Sequence, residues 1–167
     1  MPTSRYTGEQ SQTGRVQLLP KFVPWHRDSG DNGYVKPDAI YLKKLLSAFR
    51  NAPQPTTDIE ELKESGIDYE EPVFEFHMYL LVDGGYIEST LGPKDFGMSR
   101  GVDGYVSWSV IPLRLTAAGH EFAEGLENPK AFEAVRKDFV GASISTIRDV
   151  VVGVIKAEIG KHTGLHF

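Results

Sequence analysis

The chain has 167 residues, 40% hydrophobic and 25% charged, with 18 Lys and Arg against 23 Asp and Glu and a formal charge of −5. That is the composition of one ordinary globular domain, long enough to bury a real core. Cysteine is absent, which excludes disulfides, thiolate metal sites and cysteine nucleophiles, and no apolar run approaches the roughly 18 residues that a membrane-spanning helix needs.

Residues 1–35 are polar and rich in Gly, Ser, Gln and Pro, and read as an irregular N-terminal arm. The first residues lack the apolar stretch of a signal peptide, so a cytoplasmic protein is expected. The arm has one apolar patch, residues 16–25 (VQLLPKFVPW), which is expected to dock on the domain. Residues 28–33 resemble a calcium loop only briefly. The third position is Gly30 and the twelfth Ala39, so a side-chain oxygen and the bidentate Glu are both missing.

A first helix is predicted over residues 37–50, with Pro37 in its first turn and Ile40, Leu42, Leu45, Leu46 and Phe49 facing inward. The two-proline stretch NAPQPTT breaks it. Asp58 and Glu61 predict a capping box for a short helix that ends at Gly66, and Asp68 and Glu71 predict a second box for a helix running to about Val82. The Asp83-Gly84-Gly85 sequence closes that helix in a tight turn. Residues 86–91 read as a strand, 92–104 as a glycine-rich wing with Phe96 and Met98 as apolar tips, and 105–115 as the returning strand. Thr116 and Asn128 cap two further helices. A last helix over residues 142–162 carries a wide stripe of Ile and Val, suited to covering its own core or to pairing in a homodimer.

The fold class expected is α+β and mainly helical: a winged helix-turn-helix with C-terminal helices and the irregular arm. The divisions are residues 1–35 for the arm, 36–116 for the winged-helix core, and 117–167 for a C-terminal helical extension forming one unit with that core. The segments YVKPDAIYLKKLLSAF, FHMYLLVDGGYIE and LRLTAAGHEFAEGLENPKAFEAV, followed by the amphipathic C-terminal helix, resemble the DUF2513 family of small bacterial, phage and mobile-element proteins. The resemblance spans about residues 36–165. That family has no known activity, so the resemblance implies no catalytic residue.

Charge complicates the winged-helix reading. Residues 58–90 hold ten acids against the single base Lys63, a net of −9, and no Arg, Lys, Asn or Gln lies between Lys63 and Lys94. A helix that reads DNA needs such donors, and this one would repel phosphate. Glu60, Glu61, Glu64, Glu70, Glu71 and Glu75 are therefore expected to form an acidic face for a protein partner, basic in character, including one that ordinarily holds nucleic acid. The alternative is a DNA-binding regulator that uses Arg15, Lys21, Arg27, Lys43, Lys44, Lys94 and Arg100. No phosphate loop and no nucleophile elbow occurs. His162 and His166 have zinc-compatible spacing but Gly164 interrupts them, and His77, beside Phe76, is expected to be structural. No enzymatic activity, cofactor or metal is expected.

Overall fold

The computed structural model of the chain describes residues 36–92 and 94–163. The arm, with Arg15, Lys21 and Arg27, lies outside the described residues, as does His166. Six helices and two small antiparallel sheets make up the α+β fold: α1 (Ala39–Arg50), α2 (Ile59–Glu64), α3 (Pro72–Asp83), β1 (Ile87–Ser89), β2 (Met98–Arg100), β3 (Val106–Trp108), β4 (Leu113–Leu115), α4 (Ala117–Glu127), α5 (Pro129–Asp138) and α6 (Ile144–Thr163).

Helix α1 starts later than expected. Asp38 is its cap, with Oδ1 accepting the N–H groups of Ile40 and Tyr41 at 2.7 and 3.2 Å, so Pro37 precedes the helix. Leu42, Leu45, Leu46 and Phe49 are buried on one face, whereas Ile40, expected inside, is 59% exposed. The cause is angular: Ile40 lies outside the stripe spaced at i, i+3, i+4 and i+7 from Leu42. Both acidic capping boxes are corrected in part. Asp58 caps α2, but Glu61 accepts the Thr57 hydroxyl at 2.8 Å rather than the Asp58 N–H. Asp68 accepts the Glu70 N–H at 3.0 Å in a turn that precedes α3, and Glu71, with Pro72 behind it, occupies the cap position without a side-chain bond. Thr116 and Asn128 cap α4 and α5 as expected.

The returning strand is broken in two. β4 pairs with β1 in the register Ile87 to Leu115, and Leu113 also exchanges backbone hydrogen bonds with Thr57 at 2.8 and 2.7 Å. β3 pairs instead with β2, a strand that forms inside the glycine-rich segment expected to be loop, in the register Met98 to Trp108. Gly97 makes this possible. It has φ +86°, its carbonyl accepts the Ser109 N–H at 2.7 Å, and a Cβ there would overlap the Ser109 carbonyl oxygen.

The C-terminal helices pack on one another and on α1, so nothing separates residues 117–163 from the elements before them. Gly119 lets the first turn of α4 lie against the Tyr86 backbone, and Gly125 lets α4 meet Val151 of α6. An ion pair between Arg50 and Glu127 at 2.6 Å joins the ends of α1 and α4. On α6 only Ile147 and Val151 are fully buried. Ile144, Val150, Val154 and Ile155 are partly covered. One edge of the predicted stripe thus serves the subunit's own core.

Candidate functional site

Helix α3 presents Pro72, Glu75, Phe76, Tyr79, Leu80 and Asp83 on its outer side, the residues spaced at i, i+3, i+4, i+7, i+8 and i+11. The opposite side, with Phe74, Met78 and Leu81 fully buried, is core. The burial pattern follows from an apolar surplus: α3 has more large side chains than its inner face can hold, so Phe76 and Leu80 are left half-buried and Tyr79 is 44% exposed. Apart from the Tyr79 hydroxyl, this face carries no side-chain hydrogen-bond donor.

The β2–β3 hairpin folds back on α3 rather than projecting from it. Phe96, expected at an exposed tip, is 2% exposed, with its ring 4.9 Å from that of Tyr79 and 6.2 Å from that of Trp108. Trp108 also meets Phe74 and Tyr69 edge-on at 5.8 and 5.3 Å. Met98 likewise packs partly against the core. The physical reason is that large apolar rings gain more by joining this cluster than by standing in water. The exposed large hydrophobic residues of the hairpin region are Leu91, Val102, Tyr105 and Val110 instead.

This folding decides where the predicted charges go. Arg100 donates from Nη2 to both carboxylate oxygens of Glu75 at 2.8 Å, so a predicted phosphate contact and a predicted acidic-face residue neutralise each other. Lys94 lies 3.8 Å from Asp83. Lys63 lies 3.8 Å from both Asp68 and Glu70 and sits over the Tyr69 ring. Lys44 donates to the Gly66 carbonyl at 2.7 Å, closing the end of α2, and Lys43 sits 4.2 Å from the centre of the Phe132 ring. The four described bases expected to touch nucleic acid are thus each engaged within the subunit. Of the six acids, Glu60, Glu64 and Glu71 are exposed and make no ion pair with a described residue. Glu61 faces a shallow groove of about 320 Å³ between the end of α1 and α2, lined also by Lys44, Ser47, Asn51 and Ser65.

His77 is buried in α3 and ties the start of α1 to it. Nδ1 donates to the Val73 carbonyl at 2.7 Å and Nε2 accepts the Asp38 N–H at 2.9 Å, which fixes the neutral Nδ1–H tautomer. Burial lowers its pKa below the usual histidine value, against the opposing pull of the Val73 carbonyl and the Asp38 charge. The Tyr41 ring packs 4.8 Å away, and burial, with Glu71 and Asp68 nearby, pushes its hydroxyl up to about 12. The expectation that His77 is structural agrees with this geometry. Its link to Asp38 was not visible in the sequence, because 39 positions separate the two residues.

A folded histidine held neutral contributes stability that is complete above the unfolded value near pH 6.5 and is lost as pH falls through the lowered one. The urea midpoint should therefore drop as pH falls from about 7.5 toward 5, and drop less in His77→Gln. Glu133 and Glu158 are held below the usual carboxylate range by hydrogen bonds from Lys137 and Lys130 first, then from Arg136 and Asn128. They lose their contribution only at lower pH, which separates the two effects. An equal pH dependence in wild type and variant between 7.5 and 5 would contradict this role for His77.

Among the described residues, no group of three His, Asp or Glu side chains could hold a metal ion, and no helix is long and apolar enough to cross a membrane. Comparisons with protein-family models, curated proteins and solved structures return no match.

Proposed function

We propose that this chain is a non-enzymatic protein-interaction module with a winged-helix core, and that it engages a basic protein partner through an acidic surface on α2 and the start of α3. The winged-helix reading draws support from the order α1, α2, α3, β1, hairpin, β4, and from the bridge between Thr57 and Leu113, which adds a rudimentary third strand on the edge of β4 opposite β1. A place in the DUF2513 family, with its phage and mobile-element setting, is part of the same proposal, as is a cytoplasmic location.

The observation that carries the functional reading is the charge pattern at the helix that would enter a DNA groove. Its outer face carries no base, the cations nearby, Arg100 and Lys94, are paired with its Glu75 and Asp83, and Glu60, Glu64 and Glu71 supply the acidic surface beside it. An arrangement of carboxylates beside aromatic rings suits a cationic protein segment, including the nucleic-acid-binding surface of another protein. The competing reading, a DNA-binding regulator, has the element order in its favour, and rests on the arm bases Arg15, Lys21 and Arg27.

Fluorescence anisotropy separates the two readings. A labelled oligo-arginine peptide should bind saturably at low salt, and the combined substitution Glu60→Lys, Glu64→Lys and Glu71→Lys should weaken that binding at least tenfold. Random duplex DNA should give no saturable signal under the same conditions. Salt-dependent duplex binding by the unaltered chain, with the triple variant binding the peptide as before, would reverse the assignment.

A further inference from the structure

We propose that the outer face of α3 is a docking surface for the chain's own N-terminal segment, residues 15–27. Three observations meet on this one surface. The face is apolar at its centre and has carboxylates at its ends: Phe76, Tyr79 and Leu80 lie between Glu71 and Glu75 on one side and Asp83 on the other. Glu71 makes no ion pair with a described residue, while Glu75 and Asp83 are shared with Arg100 and Lys94. Residues 15–27, RVQLLPKFVPWHR, have the complementary pattern, with an apolar run punctuated by Arg15, Lys21 and Arg27 and no acid. The described chain also begins beside this helix, since the Asp38 N–H is bonded to His77, and the His77 ring meets Phe76 edge-on at 5.1 Å.

Reach is sufficient. The 12 residues of α3 span about 18 Å. The chain between residues 25 and 38 can extend over about 40 Å at roughly 3.3 Å per residue. Tethering raises the local concentration of the segment to the millimolar range, so that even weak charge and apolar complementarity fills the site. Two other apolar surfaces lack the charge match. The open part of α6 mixes Asp149 and Glu158 with Arg148, Lys156 and Lys161, and the exposed Phe139–Val140 pair follows the mixed charges of Arg136, Lys137 and Asp138. With the arm in place, the acidic face carries a built-in competitor for any basic partner, a consequence that rests on the function proposed above. The docking itself does not.

The absence of cysteine allows a clean test in the full-length chain. A nitroxide attached at Gln17→Cys should broaden the backbone amide signals of residues 72–83 several-fold more than those of α6. Adding Arg15→Glu, Lys21→Glu and Arg27→Glu should remove most of that broadening. Uniform weak broadening, broadening centred on α6, or a pattern unchanged by the charge reversal would each overturn the proposal. A mixture of spin-labelled chain with isotope-labelled, unlabelled-spin chain identifies a second copy as the occupant: broadening of α3 in that mixture would also overturn it. The signals report where the arm lies whether or not a basic peptide or DNA binds, so this result and that of the anisotropy experiment stand or fall separately.

Discussion

Gly97→Ala should lower the unfolding free energy by roughly 3 kcal/mol, among the largest effects of any single methyl added to this chain. Two costs combine. A side chain at φ +86° is disfavoured by about 1–2 kcal/mol. The new Cβ would also overlap the Ser109 carbonyl oxygen, which is backbone and cannot rotate aside. Relief would require opening the bond from the Ser109 N–H to the Gly97 carbonyl, 2.7 Å long, and that bond closes the β2–β3 hairpin. Urea denaturation followed by circular dichroism measures the change. Gly104→Ala is the control: it also has positive φ, at +83°, but nothing lies near its Cβ position, so it should lose only the conformational part. Equal effects at the two glycines would show that the close approach to Ser109 contributes nothing.

Phe74→Ala should cost about 3–5 kcal/mol, the range for an aromatic ring removed from a closed core. Phe74 is completely buried, and its ring stands edge-on to Trp108. The cluster of Phe74, Trp108, Tyr69 and Phe96 is what holds the β2–β3 hairpin to α3. A cavity at Phe74 therefore loosens the hairpin as well as the core, and weakens the contact that sets Arg100 against Glu75. Thermal unfolding should show the lower midpoint, and Trp108 should become more accessible to a fluorescence quencher under native conditions. A loss below about 1 kcal/mol, with quenching unchanged, would mean that the hairpin is held chiefly by other contacts. Phe74→Leu, which refills much of the space, should recover most of the stability.

These two positions differ in how far the sequence announces them. Phe74 lies in an apolar helix, and its burial is what periodicity leads one to expect. Gly97 is one of several glycines in a segment that reads as a plain loop, and only the approach of Ser109, twelve residues on, makes it distinct. The same divide runs through the candidate site. The −9 charge of residues 58–90 is plain in the sequence, and in the fold Arg100, Lys94 and Arg114 from outside the stretch offset part of it. Which carboxylates stay unpaired among the described residues is not, because Glu75 meets a base 25 positions away while Glu71, four residues earlier, meets no described base.

Sequence alone specified the helices, their caps at Asp58, Thr116 and Asn128, the inward face of α1 apart from Ile40, and the acidity of the α2–α3 region. Each of these is governed by residues within one or two helical turns, where side-chain spacing and a local hydrogen bond suffice. Tertiary structure alone decided the breaking of residues 105–115 into two strands, the burial of Phe96, the hold of His77 on Asp38 and the pairing of Arg100 with Glu75. Those depend on surfaces far apart in the chain coming together, and on large rings finding a place out of water that no local pattern can specify.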